Sequence, residues 1–187
     1  MTKLLVRVAL TSAAVLLIAG CTSKEAGTAS PAGTSSVPPA VTGTSSASSG
    51  GATTSSLDPC SLLVASEIAS FGAFGEPNKR EEFGARSCGY LMKTQHASDP
   101  QLGIDVNIRD SQGIDTVNDT GKGITPGKVN GREAKVVPTG TSGCIFAMAV
   151  GSASRVDISI TSAVDSAKAC DTATQVADIV EPKLPKG

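Results

Sequence analysis

The chain has 187 residues, 40% of them hydrophobic and 3% aromatic, with a formal net charge of -1. That length allows one ordinary domain or two small ones. After the first twenty residues no apolar stretch is long enough to span a bilayer, which excludes a polytopic membrane protein. From Leu57 onward there are 13 basic and 16 acidic residues, which disfavours a nucleic-acid binder.

The first twenty residues have the order of an export signal. Lys3 and Arg7 form a positive start, and Val8 to Ile18 is apolar apart from Thr11 and Ser12. Ile18-Ala19-Gly20-Cys21 follows and resembles a bacterial lipobox. That resemblance implies removal of residues 1–20 and lipidation of Cys21 by diacylglyceryl transfer to its sulfur. Two acyl chains, of the palmitate kind, hold a protein stably on a membrane where one would be reversible. The plainer alternative is an ordinary secretory signal in which Cys21 has no special role. Residues 22–56 are Ser, Thr, Gly, Ala or Pro except for Lys24, Glu25, Val37 and Val41. Such a segment buries too little to offset its ordering entropy and is expected to be a disordered tether. As a flexible coil it would span roughly 30–35 Å. The expected organisation is therefore signal peptide 1–20, lipidated Cys21 with tether to residue 56, and one globular domain over 57–187.

The aromatic residues Phe71, Phe74, Phe83, Tyr90 and Phe146 all lie in that last part, which must build the core. Four cysteines remain there: Cys60, Cys88, Cys144 and Cys170. An even count in an exported chain reads as two disulfides, with three possible connectivities. The expected pairs are Cys60–Cys88 and Cys144–Cys170, each close in sequence and each tying a helix to a strand. A redox or metal role is disfavoured, because no Cys-x-x-Cys occurs and His96 is the lone histidine.

In chain order, Asp58-Pro59 opens a helix as N-cap and first residue, with Leu62, Leu63, Ile68 and Ala69 as its apolar face. Gly72 and Gly75 end it. Arg86 to Met92 suits a strand. Leu102, Ile104, Val106 and Ile108 alternate with polar or small residues, as in a half-buried strand. Ser111 to Lys128 reads as a long polar loop with room for a short helix. Val129-Asn130-Gly131-Arg132 is a hairpin signal, because Asn-Gly tolerates the positive φ of a type I′ turn. Strands follow over Ala134–Val137, Cys144–Val150 and Arg155–Thr161. A helix over Asp165–Glu181 carries the stripe Ala169, Ala173, Val176, Ala177 and Val180, and Pro182 stops it. The expected fold is α+β: an antiparallel sheet with N- and C-terminal helices packed on one face.

Asp58-Pro59-Cys60, Cys88-Gly89-Tyr90, Val129-Asn130-Gly131-Arg132 and Cys170-Asp171-Thr172-Ala173 behind a lipobox and tether form a familiar series. It resembles the actinobacterial lipoproteins of a domain-of-unknown-function family, many of which carry Lpp- or Lpr-type names. The resemblance spans Leu57 to about Pro185. Tyr90 stands where the family often has Trp. The resemblance implies an address and a fold, and it brings no catalytic residues.

Chemistry-bearing residues are sparse. A Ser-His-Asp site would have to use His96, which lies in a polar loop. Gly121-Lys122-Gly123 with Gly127 lacks the Gly-Lys-Ser/Thr ending of a phosphate loop. Glu81, Glu82, Asp110, Asp115 and Asp119 are the carboxylates available for a glycosidase-like pair or a calcium site, but their spacing fits neither. No catalytic residue, cofactor or metal is therefore expected. The Ser111–Lys128 and Lys93–Gln101 loops are the expected contact surfaces. The expected role is a non-enzymatic binding or accessory module of the cell envelope. It would be membrane-bound through Cys21, face outward, and have an envelope protein or small-molecule partner. The alternatives are a carboxylate-dependent hydrolase and a carrier of a lipid or other apolar ligand.

Overall fold

The computed structural model of the chain describes residues 53–96, 98–162 and 165–186. The expected leader, Cys21 and the tether up to residue 52 lie outside the described residues. Seven strands follow: β1 (Asn78–Glu82), β2 (Ala85–Leu91), β3 (Leu102–Arg109), β4 (Thr125–Val129), β5 (Arg132–Thr139), β6 (Gly143–Val150) and β7 (Ser154–Ser162). They form one sheet in the order β1-β2-β3-β7-β6-β5-β4. Every neighbouring pair is antiparallel. The last strand, β7, is therefore inserted at the centre beside β3, and β1 and β4 are the edges.

One face of this sheet is covered by the helix α1 (Ser166–Val180). The alternation in β3 sends Ile104, Val106 and Ile108 to that face, opposite Ile160, Ile158 and Val156 of β7. All six are essentially fully buried, as are Phe146, Met148 and Val150 of β6. The α1 stripe of Ala169, Ala173, Val176, Ala177 and Val180 closes over them. Its three alanines leave room for the helix to lie close to the sheet. Each large aliphatic side chain removed from water here contributes about 1.5–3 kcal/mol. Asp165 caps the helix by accepting from the Lys168 N–H at 2.9 Å.

The N-terminal helix takes a different form from the one expected. Residues Pro59–Ser61 and Ala65–Phe71 are two separate 3-10 helices. Val64 between them is extended, with φ -126° and ψ 151°. Leu62 and Leu63, in the connection between the two helices, are both buried. In the second segment three residues per turn align Ala65, Ile68 and Phe71 on one side. These pack against the core, whereas Ala69 is exposed. Asp58 does act as the N-cap, accepting from the Cys60 N–H at 3.0 Å, with Pro59 first in the helix.

Two strands exceed the sequence expectation. β1 reads Asn-Lys-Arg-Glu-Glu and has no apolar alternation; it exists because it pairs with β2 through a hairpin. β4 begins at Thr125, inside the expected loop, and places Pro126 on an edge strand where a missing N–H is tolerated. The disulfides are Cys60–Cys88, with Cα atoms 5.1 Å apart, and Cys144–Cys170, at 5.0 Å. The first ties the N-terminal segment to β2 and the second ties α1 to β6. Closing loops of 28 and 26 residues contributes about 3.5 kcal/mol each in the chain-entropy model.

Candidate functional site

The sheet face opposite α1 is polar, and its charges are organised in rows. Asp157 in β7 is almost completely buried between two arginines, with Arg109 Nε at 2.6 Å and Arg155 Nε at 2.8 Å. Arg155 also donates to the Gly113 carbonyl at 2.9 Å and the Thr116 hydroxyl at 2.6 Å. Lys135 donates to the Ile114 carbonyl at 3.0 Å. These bonds strap the Ser111–Thr116 segment across the sheet. Much of the loop expected to make contacts is thus fastened to the domain. Farther along, Asp119 closes its own loop, accepting from the N–H groups of Gly121, Lys122 and Gly123. Those bonds hold the Asp119 carboxyl below its usual range. They also explain the phosphate-loop likeness, since the loop's own carboxylate occupies the place of an anion.

Beside this strap, Arg80 of β1 reaches over β2 to Asp105 of β3 at 2.6 Å and also pairs with Glu82 at 2.6 Å. The intervening residue is Gly89, where a Cβ would collide with both Arg80 Nη1 and Asp105 Oδ1. The Cys88-Gly89-Tyr90 motif is thereby explained residue by residue. Cys88 forms a disulfide, Gly89 leaves space for an ion pair, and the buried Tyr90 hydroxyl donates to the Leu63 carbonyl. Burial pushes the Asp105 carboxyl up, and Arg80 offsets this only in part.

The β1–β2 hairpin projects from the same region. Glu82 pairs with Ala85, so the turn is the two residues Phe83 and Gly84, at φ 51° and 72°. Two successive positive φ values define a type I′ turn, which favours Asn-Gly or Gly-Gly. Phe83 is 87% exposed. Phe74, Tyr90 and Phe146 are buried in the core, but Phe83 points to solvent. Its carbonyl accepts from Arg109 Nη1 at 2.9 Å, which fixes the base of the turn to the Asp157 network.

Two open depressions flank the hairpin. One, of about 470 Å³, is lined by Leu57, Asp58, Lys79, Arg80, Glu81 and Arg86 among others. The second, of about 450 Å³, lies between Glu81, Glu82, Phe83, Arg86, Asp110 and Ser111. Arg86 holds both oxygens of Asp110, at 2.8 and 2.9 Å, and donates to the carbonyls of Thr54 and Leu57. The Thr54 hydroxyl also donates to Asp110 at 2.7 Å. The chain is therefore gripped from Thr54 onward, in a stretch whose composition alone reads as spacer. The Arg86 guanidinium holds Asp110 below the usual carboxylate range.

The structure gathers three of the five sequence-predicted carboxylates, Glu81, Glu82 and Asp110, around one depression. Two of them already have arginine partners. Asp115 stands apart, fully exposed and 3.9 Å from Lys135, and Asp119 closes its own loop. His96 is exposed in the Lys93–Gln101 connection, where its N–H donates to Asp99 at 2.8 Å. Among the described residues, no three His, Cys, Asp or Glu side chains are placed to hold a metal ion. Sequence reasoning missed Phe83, Arg80 and Arg86. The available signal was an aromatic-Gly pair set inside a run of charged residues.

The β4–β5 turn and the C-terminus make a further unit. Arg132, itself nearly buried, donates to Glu181 at 2.9 Å, to the Ala149 carbonyl at 2.8 Å and to the Pro185 carbonyl at 3.0 Å. Asn130 adds a bond to Glu181 at 3.1 Å. The motif residues around Asn130 thus hold the C-terminal segment in place.

Together these features define a class: an α+β domain stapled by two disulfides, which point to an extracytoplasmic protein. Residues 16–183 match the family model described as "Protein of unknown function (DUF3558)", and the chain belongs to that family. No curated protein and no solved structure matches the chain.

Proposed function

We propose that the protein is a lipoprotein of the cell membrane, anchored through Cys21 and facing outward, which binds an envelope partner and catalyses no reaction of its own. The observation that carries the binding role is Phe83. A large aromatic side chain stands in solvent on a braced turn, where neither the turn nor the core calls for it. Loop and turn tips held on a rigid scaffold are where recognition is often placed. The motif residues Asp58, Cys60, Cys88, Gly89 and Arg132 support the reading from the other side. Each is engaged in capping, stapling or clamping the scaffold.

The anchor is tested by Cys21→Ser, which should release the chain from carbonate-washed membranes or leave it unprocessed. Continued membrane retention of the Ser variant would remove the anchor from the proposal. The binding role is tested by crosslinking the intact lipoprotein in cells from several surface positions. A reproducible envelope partner is the expected result, and background labelling at every position would end the proposal.

A second reading has one observation in its favour: Glu81, Glu82 and Asp110 line a single depression. A hydrolase using them should lose its activity on envelope glycans in Glu81→Gln and Glu82→Gln. Failure of the purified protein to cleave such glycans would leave the binding module alone.

A further inference from the structure

We infer that the tip of the β1–β2 hairpin docks into a partner protein, the Phe83 ring entering an apolar socket rimmed by Lys or Arg side chains. This deepens the binding-module proposal and rests on it. The ring is presented rather than loosely exposed. Arg109 holds the Phe83 carbonyl, and Arg109 is itself fixed by the buried Asp157. A preorganised aromatic anchor loses little freedom on binding, and such anchors carry much of an interface's affinity.

The charge around the ring selects the partner. Glu81, Glu82 and Asp110 are exposed, and Arg80, Arg86 and Arg109 are half-buried; Arg80 pairs with Glu82 and Arg86 with Asp110, so among the described residues Glu81 is the carboxylate beside the ring that has no ion pair. The outward surface of the tip is therefore an aromatic group beside the uncompensated Glu81 and two exposed carboxylates whose arginines lie deeper. Its complement is an apolar pocket inside a basic rim. A bilayer is a poorer match, because interfacial segments bring cations and several apolar residues together. The tip has one ring, and its carboxylates would be repelled by anionic lipids. Docking along the edge of β1 is discouraged too, since four of its five residues, Lys79 to Glu82, are charged.

The test uses the full-length lipoprotein in its own cells, with a photoreactive benzoylphenylalanine at Phe83 or, as a control, at exposed Lys128 on the opposite sheet edge. The expected result is a protein adduct formed at least tenfold better from position 83. Its mapped crosslinked peptide should lie in an apolar pocket flanked by Lys or Arg. Glu81→Lys with Glu82→Lys should cut the yield at least tenfold. Glu81→Gln with Glu82→Gln, which disturbs the hairpin less, should cut it several-fold. The chain has no tryptophan, so Phe83→Trp gives a single reporter for the bilayer alternative. Its emission should stay that of an exposed indole on vesicles of phosphatidylglycerol and phosphatidylethanolamine. A blue shift there, or an adduct of phospholipid mass, overturns the protein socket in favour of the membrane. Equal yields from Phe83 and Lys128, with adducts from other surface positions, overturn the hairpin and leave the binding module standing. No adduct from any surface position overturns both.

Discussion

Two hairpins of the sheet close through the same two-residue turn, and they invite a direct exchange. Asn130-Gly131 joins β4 to β5 at φ 50° and 87°, and Phe83-Gly84 joins β1 to β2 at φ 51° and 72°. The backbone is the same; only the first side chain differs. A left-handed conformation costs an ordinary L-residue about 1–2 kcal/mol, and Asn is among the few that adopt it readily. Phe83 is 87% exposed, so little burial is lost when its ring is removed. Phe83→Asn should therefore stabilise the domain by about 0.5–1 kcal/mol, roughly half the left-handed cost. For a domain of this size that raises Tm by about 2–5 °C. Calorimetry and guanidinium unfolding of the oxidised protein would read it, with an unchanged m-value as the sign that only stability moved. A loss of about 0.5 kcal/mol or more would show that the ring packs in the fold. The argument that Phe83 is held against local preference would then fail.

Gly89→Ala should destabilise by about 1 kcal/mol, because its Cβ must part Arg80 from Asp105. The same change in an Arg80→Ala background should cost clearly less, which a double-mutant cycle in urea would measure. Arg132→Ala should cost about 2–3 kcal/mol, since it leaves Glu181 and two carbonyls without their donor. Hydrogen exchange should then show residues after Val180 opening first, and protection equal to the parent's would refute the clamp. Acid unfolding is set by carboxylates of both signs. Arg86 holds Asp110 low and Lys183 holds Glu67 low, so both favour the folded state when ionised. Their contribution is complete above the unfolded carboxylate range near pH 4 and is lost as pH falls through their lower folded values. Asp105 is pushed up by burial, so its protonation in acid relieves a cost. Asp110→Asn should flatten the acid limb of a urea stability profile between pH 7 and 2, and Asp105→Asn should steepen it.

The elements legible in the sequence are those whose burial is one-sided and periodic. β3 and β7 show it with period two, and α1 shows it with the stripe Ala169 to Val180. The cysteine pairs were legible because short closed loops join an element to its neighbour. β1 was hidden because a charged edge strand has no apolar face; its partner and its turn make it a strand. The 3-10 helices were hidden because a few turns of period three resemble a short α-helical stripe. The candidate site was the least legible part. An aromatic residue counts toward a core until its backbone is known, and only φ and exposure separate Phe83 from Phe146. Arg80, Arg86 and Arg109 likewise read as ordinary surface charges until the register places Asp105, Asp110 and Asp157 beside them.

The grip on Thr54 and the Cys60–Cys88 bridge also decide how this domain responds to traction. A pull on the chain ahead of Thr54 first loads Arg86 and Asp110. If those contacts yield, the slack runs out six residues later at a covalent bond into β2, a strand with neighbours on both sides. The load then passes into the ladders that join β2 to β1 and β3, and the second 3-10 helix, Ala65–Phe71, lies behind the bridge. The domain is built as a link that stays closed under tension, with its hairpin tip at the end of the sheet where that tension arrives.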